Sequence, residues 1–286
     1  DNKDFSFYSG NQNSNEKIAI LKLAGPIISE PHNISKINFL SSLEAIYPSK
    51  IKDYLQTLKK ENIKGLIISI NSPGGSVSAT NSVYELISKF KKQLNIPIYF
   101  HSSELLASGG YWMSLSGDMI FASYGSLIGS IGVKGPDWIY YNSPTSLSSG
   151  ILGNSVESPN EIKLFSNNAG ISKDIFNPFR KPTNRKILKL QKMVDDIYED
   201  FVNLVSNKRK IEKEIIKNEI NAMIFNAKQA KANFLINEVI NLEKVLAILI
   251  KKLDLKDPKI ITNQKNLNYN LISLNFFSEL LKNKNY

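Results

Sequence analysis

The chain has 286 residues, a net charge of +10 and no cysteine, which excludes thiol nucleophiles, disulfides and cysteine-based metal sites together. Its length allows one large or two ordinary domains, and no run approaches the roughly 18 uninterrupted apolar residues of a membrane helix, so the chain as given reads as soluble. Only three of the 36 basic residues are arginine (Arg180, Arg185, Arg209), and the lysines alternate with Glu and Asn, so the charge reads as a solvated lysine-rich surface suited to anionic lipid, with no nucleic-acid partner expected.

Residues 1–16 are rich in Asn, Ser and Asp and read as a flexible tether or trimmed leader, with a membrane anchor expected before Asp1. Residues 17–23 run apolar as a first strand and end at Gly25-Pro26. From 37 to 60 apolar residues recur at helical intervals, interrupted at Pro48, which predicts helix, break, helix. Residues 63–70 form a nearly continuous aliphatic run, as a strand covered on both faces does, and stop at Asn71-Ser72-Pro73-Gly74-Gly75. A helix is expected over 77–94, with Lys89, Lys91 and Lys92 near its C-terminal end, where cations complement the dipole. The next strand, 96–101, leads into 105–110 and a helix at 111–116; short strands follow at 119–123 and 127–133.

Residues 134–170, rich in Ser, Asn, Gly and Pro, read as a loop or lid. A long amphipathic helix is predicted over 183–206, with further helices at 211–218, 227–232 and 242–252. The remainder is an Asn- and Lys-rich tail with an apolar cluster at 271–281. The expected organisation is a tether over 1–16, a catalytic domain over 17–253 and a tail over 254–286. Repetition of strand, turn and helix through 17–133 predicts an α/β fold with glycine-rich turns at the carboxyl ends of its strands, where open α/β sheets place their sites.

The chemistry centres on Leu105-Leu106-Ala107-Ser108-Gly109-Gly110-Tyr111-Trp112. Two glycines after a serine permit a sharp turn, leave the hydroxyl uncrowded and free an amide for a bound carbonyl, so Ser108 is a candidate nucleophile; a serine capping a helix is the plainer alternative. A serine needs a base. The chain has only two histidines, His32 and His101, so a histidine triad would have to recruit one of them. The other option is a desolvated lysine. Lys173 stands out, set among Gly170, Ile171, Ile175, Phe176 and Pro178, with Lys163 and Lys134 behind it. Gly74, Gly75 and Gly109 are candidates for the oxyanion hole, although Pro73-Gly74 is also an ordinary tight turn. Leu105, Leu106, Tyr111 and Trp112 are expected to line the substrate site, favouring small or aliphatic side chains beside the cut. No metal or cofactor is called for.

Asn71-Ser72-Pro73-Gly74-Gly75-Ser76-Val77, Ala107-Ser108-Gly109-Gly110-Tyr111 and Gly129-Ser130-Ile131-Gly132-Val133 resemble, in that order and spacing, the signal peptide peptidase A (protease IV) family, peptidase family S49. The similarity runs over about 17–250 and matches the short, single-repeat form. It implies a Clp-protease/crotonase-like fold and a Ser-Lys dyad with Ser108 as nucleophile. Gly170-Ile171-Ser172-Lys173-Asp174 with Pro178 matches the family's lysine segment, so the resemblance places the base on Lys173 and the residue that orients its amine on Ser130. It also implies cleavage of remnant signal peptides and other hydrophobic peptides, at sites between subunits of a ring-like homo-oligomer. The implied location is the bacterial cell membrane, with the catalytic domain on the extracytoplasmic side. Three departures stand out: a longer stretch between Val133 and Lys173, Asn226 where a small residue is common, and a tail without counterpart. The alternatives are a crotonase-like acyl-thioester enzyme, for which Glu104 is the only nearby carboxylate in sequence, and a non-catalytic scaffold of the same fold.

Overall fold

The computed structural model describes residues 4–30, 44–141, 148–150, 153–155 and 175–264. The chain divides into two compact units, residues 1–132 with 201–286, and residues 133–200. In chain order the first unit begins β1 (Ser6–Gly10), β2 (Lys17–Ala24), α1 (Pro48–Lys60), β3 (Gly65–Asn71), α2 (Val77–Leu94) and β4 (Ile98–Ser102). It continues β5 (Leu105–Ala107), α3 (Gly109–Ser114), β6 (Met119–Ala122) and β7 (Leu127–Gly129). The second unit holds the hairpin β8 (Ser148–Gly150) and β9 (Gly153–Ser155) and most of α4 (Asn184–Arg209). The chain then forms α5 (Lys213–Ile215), a π-helical turn at Ile216–Ile220, β10 (Ile224–Asn226), α6 (Ala227–Ala232), β11 (Glu238–Val239), α7 (Leu242–Lys252) and β12 (Lys259–Thr262).

Seven strands of the first unit make one sheet in the order β1-β12-β2-β3-β4-β6-β11, parallel throughout except for β1 against β12. The aliphatic runs of β2, β3 and β4 are buried on both faces, as a parallel sheet requires. Ile18, Ile20, Ile67, Tyr99, Phe121 and Ile260 share one face and pack on Val245, Leu246 and Leu249 of α7. Ala19, Leu21, Leu66, Ile68 and Phe100 alternate onto the other face and are equally buried. Helices α1 and α2 bring their own buried stripes, Ile51, Leu55 and Leu58, and Val83, Ile87 and Phe90. A second sheet, β10-β7-β5, carries the strand end that matters for the site.

In the second unit, Trp138 meets Phe176 edge to face at 5.6 Å and Tyr141 lies 6.0 Å from Phe179, while the Tyr141 N–H donates to Pro178 O.

Helices 77–94, 227–232 and 242–252 have the expected bounds. The helix expected to continue through 44–47 does not: Ile46 pairs with Ile27 as an isolated bridge, and α1 starts at Pro48, whose fixed φ suits a first helical position. Residues 37–43, His32, Lys163 and the 271–281 cluster lie outside the described residues. The helix expected at 111–116 starts earlier, at Gly109, and the one expected over 211–218 divides into α5 and the π turn. Several strands fall where none was expected. The hairpin β8–β9 lies within the stretch read as a loop or lid, and β10 and β11 lie between the C-terminal helices, all of them two- or three-residue strands too short to leave an alternating pattern. β1 lies within the stretch read as a tether and β12 within the stretch read as a tail, and β12 fills the sheet between β1 and β2. The Lys259-to-Lys17 pairing that defines β12 spans most of the chain, so local periodicity carries no trace of it.

Candidate active site

Two strand ends meet below Ser108. β3 runs out at Asn71, and Ser72 continues it by pairing with Leu106: the Ser72 N–H donates to Leu105 O at 2.7 Å and the Ala107 N–H to Ser72 O at 3.1 Å. β5 in turn pairs in parallel with β7, ending at Ala107 opposite Gly129. Ser108 and Ser130 are therefore the next residues off two adjacent strand ends. Both have left-handed φ, +51° and +53°.

Ser108 stands at φ +51°, ψ −123° between β5 and α3, and its side chain makes no capping hydrogen bond. The capping alternative is thus not what the structure shows. The conformation is held from both sides, since the Ser108 N–H donates to Gly129 O and the Trp112 N–H to Ser108 O, each at 2.9 Å. A strained strand-to-helix turn that lifts a hydroxyl clear of the sheet is the geometry of a nucleophile elbow. The serine is half-buried.

The glycines are dictated by contact. A Cβ on Gly75 would lie 1.9 Å from Ile27 O, one on Gly109 2.4 Å from Thr80 Oγ1, and one on Gly74 2.7 Å from both Gly109 N and Ser108 Cβ. The Ile27 backbone clamps the turn, donating its N–H to Gly74 O and accepting from the Ser76 N–H. That pairing turns the Gly75 amide away from Ile27. The Gly74 N–H is spoken for, donating to Ser72 Oγ at 3.2 Å. Among the described residues, neither the Gly75 nor the Gly109 N–H donates a hydrogen bond. Two unbonded amides beside a serine hydroxyl are what an oxyanion hole needs.

The expected substrate lining needs correction. Leu106 and Tyr111 have no exposed surface, and the Tyr111 hydroxyl donates to Leu235 O at 2.8 Å; Trp112 is buried against Phe201, ring centroids 4.8 Å apart. These three are core: α3 turns Tyr111 and Trp112 inward, and Leu106 is a buried residue of β5. Leu105 is half-buried and keeps an accessible side. Thr80, not singled out in the sequence, is the buried neighbour that forces glycine at 109; nothing local in its helix marks it.

Lys173 lies outside the described residues. His101, the one described histidine, does not serve Ser108: it is 2% exposed, and its Nε2 lies 3.1 Å from Ser123 Oγ. Burial holds its pKa below the ordinary value, outweighing the Ile240 backbone and the Glu243 carboxylate, which pull the other way. No group of three or more potential ligands that would hold a metal ion occurs among the described residues.

A mixed-topology α/β sheet with a serine at a strained elbow beside two glycine turns is the arrangement of an α/β serine hydrolase. The comparisons narrow this. The family model "Peptidase family S49" matches residues 90–147 and 160–256, and the chain belongs to that family of serine peptidases. A Clp protease model matches residues 29–103, in keeping with the Clp-protease/crotonase-like fold. A relative from Enterococcus faecium named as a signal peptide peptidase, SppA, is 28% identical over 255 residues, 87% of this chain and 67% of its own length. One from Methanocaldococcus jannaschii named as a protease is 29% identical over 241 residues, 82% of this chain and 73% of its own length. A solved structure of the 1510-N membrane-bound stomatin-specific protease superposes at a TM-score of 0.49 with 13% identity, covering 82% of this chain and 84% of that one, a likeness too slight to build on.

Proposed function

We propose that this serine peptidase is a membrane-associated endopeptidase that degrades remnant signal peptides and other hydrophobic peptides through an acyl-enzyme on Ser108. The observation that carries the reading is the Ser108 elbow beside the Gly75 and Gly109 amides, which are unbonded among the described residues. Ser108 Oγ attacks the scissile carbonyl while the neutral Lys173 amine takes its proton. The oxyanion is held by the Gly75 and Gly109 N–H groups, and Lys173 then protonates the leaving amine. Water hydrolyses the ester by the reverse proton path. Ser130, level with Ser108 across the β5–β7 ladder, is the residue proposed to orient the lysine. A lysine base is favoured by His101 being committed to Ser123. The substrate class follows the name of the Enterococcus relative and the accessible apolar side of Leu105. Among the described residues no helix is long and apolar enough to cross a membrane, so association is proposed through other parts of the protein or through its lysine-rich surface.

Ser108→Ala and Lys173→Ala are each expected to abolish cleavage of a hydrophobic signal-peptide substrate, with circular dichroism unchanged. Full activity in the serine variant would overturn the proposal. We further propose that the site forms between subunits of a homo-oligomer. Mixing the two inactive variants should then restore part of the activity, and a mixture as inactive as its components would assign both residues to one subunit.

A further inference from the structure

A cavity of about 850 Å³ in the first unit does not include Ser108. It opens at the carboxyl ends of β2, β3, β4 and β6, on the face covered by α7, and among its walls are His101, Ser123, Lys22, Leu242 and Glu243. Such a crevice is where open α/β sheets place ligands. His101 lies on β4 opposite Phe121 of β6, and Ser123 stands two residues beyond Phe121 on the same face. This register brings His101 Nε2 to 3.1 Å from Ser123 Oγ. The serine is half-buried and pinned by its backbone, its N–H donating to Ser102 O and its carbonyl accepting from Ser126 N–H. The imidazole is 2% exposed, and among the described residues its Nδ1 makes no hydrogen bond of ordinary geometry, although the Ile240 backbone lies near enough to favour the charged ring. A buried polar atom without a partner calls for a reason.

We propose that Ser123 and His101 form a second, acyl-accepting dyad, distinct from Ser108, that takes small acyl esters in this cavity. A hydroxyl within hydrogen-bond reach of an imidazole is the geometry of an activated serine. Burial keeps the imidazole neutral and able to accept a proton at pH 7, and Glu243 supplies a nearby negative charge for the imidazolium that forms. The first amides of α7, at Leu242 and Glu243, have no acceptor within their helix, and both residues line the cavity, so these N–H groups are the candidates to hold the oxyanion, while the Asn241 side chain caps Lys244 N–H. The Lys22 ammonium, held on Gln264 Oε1 at 2.6 Å, adds positive charge. In the step, Ser123 Oγ bonds to the acyl carbon and the C–O bond to the alcohol breaks. The serine proton passes to His101 Nε2 and on to the leaving alkoxide. Water repeats the sequence and releases the carboxylic acid.

The test uses the full chain carrying Ser108→Ala, treated with a fluorophosphonate probe and mapped by peptide mass spectrometry. The adduct is expected on Ser123, absent from Ser108→Ala/Ser123→Ala and formed at least ten-fold more slowly in Ser108→Ala/His101→Gln. Because His101 is buried, a melting curve accompanies that variant. If it does not fold, the decision rests on Ser103, an exposed serine in the same cavity without the imidazole: Ser123 must label at least ten-fold faster. No adduct on Ser123, or equal labelling of Ser103 and Ser123, overturns the proposal. Ser108 labelling in the unaltered chain is scored separately, so either reading can fail alone.

Discussion

At Ser108 a side-chain-bearing residue holds φ +51° and ψ −123°, which costs on the order of 1–3 kcal/mol and persists because two backbone hydrogen bonds fix it. The neighbouring glycines leave that turn no spare volume. Gly75→Ala would drive a methyl into Ile27 O, a backbone atom that cannot swing aside, and is expected to lower stability in urea by about 2 kcal/mol or more and to remove peptidase activity. Gly109→Ala meets a side chain instead, Thr80 Oγ1. Its loss should be partly recovered in the double variant with Thr80→Ala, and no recovery would place the fault elsewhere. His101 gives a pH prediction. Burial depresses its pKa in the folded chain, so below about 6.5 the unfolded chain binds the proton first. Stability is therefore full above that pH and falls as the pH drops toward the folded value. Urea unfolding between pH 5 and 7.5 should show this slope flattened in His101→Gln, with Lys22 and Glu243, which face the same cavity, unchanged. Tyr111 acts at the other end: burial raises its pKa, so stability is lost above about pH 10 as the unfolded phenol ionises. Tyr111→Phe should remove that alkaline loss and cost about 1 kcal/mol at neutral pH for the bond to Leu235 O.

Among the elements, the small sheet β10-β7-β5 does the positioning. β7 presents Gly129 O to Ser108, and β10 braces β7 from its other side, with the carbonyl of Met223, the residue before β10, accepting the Ser130 N–H at 2.9 Å. Asn226 ends β10 and starts α6 with a reciprocal capping box: its side chain accepts from Gln229 N–H, and the Gln229 side chain accepts from Asn226 N–H. This accounts for asparagine at a position where the family resemblance suggests a small residue. Asn226→Ala should cost about 1 kcal/mol in chemical denaturation, and an unchanged midpoint would show that the cap is redundant.

For the molecule as a whole, β12 is the piece on which the sheet closes. It joins β2 in parallel and β1 in antiparallel register, so removing it leaves β1 without its strand partner and turns β2 into an edge strand. A chain ending at residue 256 is expected to melt well below one ending at residue 264 and to lose cooperativity, as judged by circular dichroism. Matching melting curves would mean that residues 259–262 are dispensable, as expected for a tail.

Much of this was legible along the chain because it is local. Continuous aliphatic runs announce doubly covered strands, a 3.6-residue stripe announces α2 and α7, and Ser-Gly-Gly with Pro-Gly-Gly marks turns at strand ends. The scarcity of histidine is likewise a property of composition, and it directed attention to a lysine. Tertiary structure alone decided which glycine amides remain unbonded among the described residues, because the Ser72 hydroxyl takes Gly74 and the Ile27 backbone turns Gly75 outward. It also decided that Leu106, Tyr111 and Trp112 are core, that Thr80 lies under Gly109, that β1 and β12 pair, and that His101 faces Ser123. Each of these depends on a contact between segments distant in sequence, and side-chain periodicity reports only which face a residue occupies, not what lies across from it.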